Sequence, residues 1–202
     1  MKRINQFERT DRDITNALLK VMERKSLEKI SVQEILDEAM VNRSTFYQHF
    51  PDKYAVLERL QEKYVSGMTD RIDEVTGSGE LDLERINASL CEYLAQHRGQ
   101  MRQILSVRSE NLDLEGRMRG LFSDYLKRTG NGLNDLEREM LAGMTVRFFV
   151  HFLKHEIDEA AFSAMMLDTW LNMTAFFFRV DDVPEAKEQI LTLIGRMHQE
   201  QK

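Results

Sequence analysis

Residues 31–53 read SVQEILDEAMVNRSTFYQHFPDK, and their pattern dictates two short helices with a tight turn between them. Ser31 followed by Glu34 forms the S-x-x-E capping box, in which each side chain serves an orphan amide at a helix start. Val32, Ile35, Leu36 and Ala39 then fall on one inner face at helical spacing. Met40 and Val41 are left for the turn. Asn42 can accept the amide of Thr45 and open a second helix, where Phe46 and Phe50, four apart, point inward together. Pro51 stops that helix, because its ring disfavours helical geometry at Phe50 and it has no N–H to donate. Arg43, Ser44, Thr45, Tyr47, Gln48 and His49 remain, with no packing duty. A helix that holds a small core and still presents hydrogen-bonding groups suits the major groove of DNA.

The flanking residues extend the pattern. Thr10 and Asp13 resemble a capping box with the shorter acid, so a first helix is expected over residues 10–24. Ile14, Ala17, Leu18, Val21 and Met22 form its buried stripe. After a basic loop at residues 24–29, Leu27 and Ile30 tuck beneath the neighbouring helices. Asp52 is expected to cap a fourth helix reaching about Ile72, with Val56, Leu57, Leu60 and Tyr64 inward. Its positive N-terminal end, with Lys53 beside it, suits a phosphate oxygen. The sequence softens at Thr76-Gly-Ser-Gly-Glu, a candidate boundary.

With only two prolines, Pro51 and Pro184, and little strand-type alternation, the 202 residues predict an all-α chain. A single cysteine, Cys91, excludes an internal disulfide and suits a reducing cytosol. The start, MKRINQFERT, lacks an apolar segment behind its basic residues, and the longest apolar run, near 148–153, is too short for a bilayer. A cytoplasmic protein with no membrane partner is expected. The net charge of −6 argues against a general DNA-coating protein. Its distribution is uneven: residues 1–65 hold 12 Lys and Arg against 11 Asp and Glu, and the remainder 16 against 23. Between Met40 and Lys53 the one acid is Asp52. A basic footprint this modest needs a second copy to hold DNA.

RSTFYQHFPDKYAVL, residues 43–57, is similar to the TFYxHFxxKxxL core of the TetR family of bacterial transcriptional regulators, and the apolar spacing of residues 14–22 fits that family's first helix. The resemblance covers about the first quarter of the chain. It implies a three-helix helix-turn-helix DNA-binding domain over residues 1–55, then a larger helical ligand-binding and dimerisation domain over 56–202. It also implies that Val32 and Gln33 sit where the second helix meets DNA. Arg43, Ser44, Thr45 and Gln48 would face base edges or nearby backbone, and Tyr47, His49 and Lys53 would grip phosphates. Arg43 is the side chain expected to read a guanine through O6 and N7. One departure stands out: the family usually has glycine where this chain has Met40, and a left-handed residue there costs a non-glycine about 1 kcal/mol.

The remainder predicts helices near 83–97, 99–107, 111–129, 133–156, 158–179 and 184–200, with a break at TGNG, residues 129–132. Ile190, Leu191, Ile194 and Met197 give the last of these a regular stripe. The helices near 133–156 and 158–179 are crowded with Met and Phe on more than one face, more than one protomer's core requires. A homodimer seam absorbs the excess, and the resemblance implies such a dimer, whose paired recognition helices would match a palindromic operator in double-stranded DNA. The same residues could instead line a cavity for a small apolar or aromatic effector, with Met144, Phe148, Phe152, Met166, Trp170 and Met173 as walls and Arg147 and His151 as polar anchors. His151 and His155 have the spacing of a metal pair but lack a third ligand, so no metal is expected. No catalytic set and no cofactor fingerprint is visible, so no enzyme activity and no cofactor are expected. The sequence therefore points to a ligand-responsive DNA-binding regulator, a repressor released by its effector. The alternative is a DNA-bound adaptor that recruits a protein partner and has no inducer. An enclosed Met/Phe cavity favours the first, and a filled core with an exposed apolar face favours the second.

Overall fold

The computed structural model describes residues 2–77, 83–107, 112–128 and 133–177, with the side chains of 6–77, 84–107, 112–128 and 133–173. Among these residues the regular elements are α1 (Lys2–Met22), a 3₁₀ turn (Leu27–Lys29), α2 (Val32–Ala39), α3 (Arg43–His49) and α4 (Lys53–Thr76). They continue with α5 (Leu83–Gln96), α6 (Arg98–Leu105), α7 (Leu114–Arg128), α8 (Asp135–Lys154) and α9 (Glu159–Phe177). The break at 129–132 and the helix at 184–200 with its stripe lie outside the described residues.

The chain forms two compact units. One comprises Met1–Tyr64 with Gly99–Leu114, the other Val65–Arg98 with Glu115–Lys202. In the first unit, α1 packs against α2, and α2 against α3. Ile14, Ala17, Leu18 and Val21 form the buried stripe of α1. The helix starts earlier than Thr10, and Thr10 is no cap: its hydroxyl donates to the Gln6 carbonyl one turn back, as a mid-helix threonine does. Nothing in residues 2–9 breaks a helix, so the turn before Thr10 simply continues.

At the start of α2 the Ser31 side chain accepts the Glu34 amide at 3.3 Å, and the Ser31 amide donates to the Glu34 carboxylate at 2.9 Å. Lys25 also bonds that carboxylate. The Lys25 bond first, then the Ser31 amide and hydroxyl, hold the Glu34 carboxyl down to about 2. α2 ends at Met40, where φ is 53° and ψ 41°, the left-handed region. The amides of Met40 and Val41 both return to the Leu36 carbonyl, which closes the turn. The Met40 side chain is 92 % exposed, so no packing offsets its strain. The Asn42 side chain then accepts the Thr45 amide at 2.7 Å, and Phe46 and Phe50 are buried. Phe50 is already extended, at φ −138° and ψ 131°.

In α4 the residues Val56, Leu57, Leu60, Tyr64, Met68 and Ile72 are buried, and the helix runs on past Ile72 to Thr76. Gln61 is buried with them, and neither its amide oxygen nor its nitrogen has a hydrogen-bond partner among the described residues. In the second unit, α9 packs on α5 and α8. The core there includes Phe122, Phe149, Phe152 and Phe162, with the last two rings stacked at 4.4 Å. α8 opens on a second capping box, Asn134 with Glu137. Arg98 closes its far end: the guanidinium donates to the Phe152 carbonyl from Nε at 3.1 Å and from Nη2 at 2.7 Å, and lies 4.3 Å from the Phe152 ring centre. The last carbonyls of a helix have no partner of their own, and this cation supplies one.

Two stability effects follow. Met40→Gly should stabilise the protein by about 1 kcal/mol, since glycine accepts the left-handed turn and no packing is lost, to be read by chemical denaturation. A depressed carboxyl lends stability that is complete above its ordinary pKa of 4.5 and fades as the pH falls toward about 2. Glu34→Gln should flatten that part of the acid-denaturation curve, while a variant curve that keeps the wild-type slope there would place the dependence elsewhere.

Candidate nucleic-acid interface and internal cavity

α3 is only seven residues long, so its orientation is set by its neighbours rather than by its own propensity. With Phe46 buried, the rest of the helix is turned outward. Arg43, Ser44, Tyr47 and Gln48 are exposed, and Thr45 is half-buried. Gln33, exposed on the first turn of α2, accepts from the Arg43 guanidinium at 3.2 Å and donates to Asp37 at 2.8 Å. Val32 beside it is half-buried. Ser44 donates to Asn42 at 2.7 Å, so the side chain that caps α3 also steadies its first outward hydroxyl. The structure therefore brings Val32, Gln33, Arg43, Ser44, Thr45, Tyr47 and Gln48 to the α2 start and the outer side of α3.

His49 and Lys53 are differently placed from the outward, phosphate-gripping position expected of them. The His49 side chain is 5 % exposed, its Nδ1 bonded to Asp11 and its ring stacked 3.8 Å from Phe7 of α1. Lys53 donates to the backbone carbonyls of Leu27, Glu28 and Ile30 at 2.8, 3.0 and 2.7 Å. An ammonium has three protons, and all three are used. The amides at the start of α4 are occupied too: the Asp52 carboxylate accepts those of Tyr54 and Ala55 at 2.8 and 2.9 Å. These groups brace the recognition helix from behind.

Two residues were missed from the sequence. Tyr54, 44 % exposed on the first turn of α4, has the Lys53 ammonium 5.3 Å from its ring centre. Its signal was its place off the buried stripe of α4, directly after a capped start. Phe7, covering His49, had no local signal, because the helix was not expected to reach it.

The second unit contains a cavity of about 70 Å³. Its apolar and aromatic walls come from five helices: Ile72 of α4, Leu90 of α5, Phe122 of α7, Phe149 of α8, and Met166 and Trp170 of α9. Asn87, Tyr125 and Thr145 add polar atoms. Of the residues expected to line such a space, Met166 and Trp170 do so. Met144, Phe148 and Met173 join them around a smaller void of about 10 Å³. Arg147 lines neither; it is 73 % exposed and bonds Glu115 at 3.4 Å. His151 is exposed with its ring 4.3 Å from His155, and Phe152 is fully buried against Phe162. The contributions of α4, α5 and α7 had not been anticipated.

Burial pushes the Cys91 thiol up to about 11, so it is no nucleophile. Among the described residues, no group of three or more His, Cys, Asp or Glu is placed to hold a metal, and no helix is long and apolar enough to cross a membrane.

Residues 14–60 match the family model of the bacterial regulatory proteins of the tetR family. No curated protein matches the chain. Among solved structures, the TetR transcriptional regulator from Streptococcus agalactiae 2603V is similar at 19 % identity and a TM-score of 0.62, over 84 % of this chain and 98 % of that one. The tetR-family regulator from Streptomyces coelicolor is similar at 15 % identity and a TM-score of 0.58, over 96 % and 89 %. The dihydroxyacetone kinase operon activator DhaS is similar at 16 % and 0.58, over 81 % and 94 %. At such identities the likeness is one of fold, so the family rests on residues 14–60, where the recognition helix, its caps and its turn all lie. Over residues 14–60, less than a quarter of the chain, this protein is similar to the bacterial regulatory proteins of the tetR family, and that stretch holds α2, α3 and the turn between them.

Proposed function

We propose that this protein is a ligand-responsive regulator that binds a palindromic operator as a homodimer in the cytoplasm, and that a small apolar or aromatic effector, held in the cavity of the second unit, releases it. The cavity is the observation that carries this reading. Its wall includes Ile72 of α4, and α4 starts immediately after the recognition helix α3. A ligand preferring one setting of α4 would shift the population of recognition-helix spacings away from one that fits successive major grooves.

The dimer has separate support. Leu136, Met140 and Met144 recur every four residues along α8, at 69, 46 and 38 % exposure, and Met165 of α9 is 44 % exposed. A second copy would cover this apolar face. It would also double a footprint whose charge is barely positive, one turn of DNA away. The same exposed face is what favours the second reading, an adaptor that recruits another protein and needs no inducer. The sign of regulation is not assumed to be general for this fold, since DhaS is named an activator. Repression is proposed here because loss of DNA fit on ligand binding is the simplest outcome of the α4 geometry.

Selection of bound sequences from a random DNA pool at low salt should enrich a palindrome; no enrichment would sink the DNA reading. Arg43→Ala should weaken operator binding by about 1–3 kcal/mol and relax one base position in each half-site. A uniform loss over all positions would make Arg43 a backbone contact instead. Met140→Lys combined with Met144→Lys should give a monomer by sedimentation and abolish tight operator binding, while a lysine variant that remains dimeric would remove this face from the seam. An effector that binds the cavity and leaves operator affinity unchanged would overturn the ligand-response mechanism in favour of the adaptor.

A further inference from the structure

The cavity wall is polar at few points, and most of those are already committed. The Thr145 hydroxyl donates to the Leu141 carbonyl at 2.8 Å. The Asn87 amide nitrogen donates to the Ser163 carbonyl and hydroxyl at 2.9 and 2.8 Å, and its oxygen faces the Cys91 thiol at 3.8 Å. Tyr125 differs. Its hydroxyl oxygen is buried and has no hydrogen-bond partner among the described residues. Burial pushes the phenol up to about 12, so it keeps its proton and stands as a donor. A buried donor without an acceptor is costly, and it makes a ligand that supplies the acceptor bind better than one that does not.

Charge supplies the second constraint. Among the described residues, no Lys, Arg, Asp or Glu lines the cavity. A carboxylate or an ammonium brought against such a wall would lose its hydration, and none of the described wall residues carries a counter-charge. The volume supplies the third. A water needs roughly 10–15 Å³ on this measure, so about 70 Å³ takes on the order of five to seven heavy-atom centres, the scale of a single ring.

We propose that the cavity selects an uncharged, compact, ring-sized apolar molecule carrying one hydrogen-bond acceptor, such as a carbonyl, and that the Tyr125 hydroxyl donates to that acceptor. This rests on the reading of the cavity as the effector site. Tyr125 is then the specificity-determining residue, and the wall formed by Phe122, Phe149, Met166 and Trp170 supplies affinity that does not depend on the acceptor.

The protein reports on its own cavity, since Trp170 is its one tryptophan and forms part of the wall. Three ring-sized probes of seven heavy atoms, cyclohexanone, methylcyclohexane and cyclobutanecarboxylate, are titrated into the full-length wild type and Tyr125→Phe, with Trp170 emission as the signal. Cyclohexanone should saturate the wild type and bind Tyr125→Phe roughly tenfold more weakly. Methylcyclohexane should bind both proteins equally, which also shows that the variant keeps a formed cavity, and cyclobutanecarboxylate, equal in size to the ketone, should not bind. Equal cyclohexanone affinity in the two proteins, or carboxylate binding as tight as that of the ketone, would overturn the selectivity assigned to Tyr125 and leave the effector site standing. No saturable signal from any probe would overturn both. Cyclohexanone binding that follows the expected pattern while operator affinity stays constant would uphold the ligand class and reject only the regulatory reading.

Discussion

The burial of Phe46 and Phe50 is the interaction on which α3 and its outward side chains depend. A helix of seven residues has no stability of its own in water, where roughly 12–15 residues are needed even for favourable sequences. α3 exists because two aromatic rings anchor one side of it and because both ends are closed, by Asn42 before it and by the extended Phe50 and Pro51 after it. Everything that could touch a base is therefore held by residues that touch none. The bracing extends outward to α1, through Phe7 and Asp11 on His49, and to the start of α4, through Asp52 and Lys53. The short helix is a surface feature of this braced collar.

Much of that collar was legible because its signals are local. A capping box spans four residues, an Asn cap reaches three, and a proline acts on the residue before it. Ser31, Asn42 and Pro51 therefore announced the ends of α2 and α3, and Met40 announced a strained turn, which the structure realises at a positive φ. The inward roles of His49 and Lys53 were not legible. His49 finds Asp11 thirty-eight residues earlier, and Lys53 finds carbonyls 23 to 26 residues earlier. A polar residue on a helix carries no mark of whether its partner will be a phosphate or a distant carbonyl of its own chain.

The second unit shows the same limit in apolar form. Met and Phe on several faces of α8 and α9 say that both helices are covered on more than one side, but not by what. In the structure one set of these side chains encloses the cavity and another, led by Leu136 and Met140, faces outward. Which face meets which depends on the approach of α4, α5 and α7, and that is a property of packing rather than of periodicity. The polar inventory tells more than the apolar one. Among the described residues, the Tyr125 phenol is a wall group with no acceptor, and the proposed ligand takes its direction from it.

The anchoring of Lys53 also has a chemical consequence. An amine acylates through its nitrogen lone pair, and the Lys53 nitrogen is enclosed by three backbone carbonyls on the segment between α1 and α2. Reagents that modify the outward lysines of the chain, such as Lys20 and Lys63 with their exposed stems, must wait for this one to detach. The rate at which Lys53 takes up an acyl label is thus a clock for the loosening of residues 27–30 from the start of α4. It reads the breathing of that collar from its rear face, with the outward side chains of α3 left untouched.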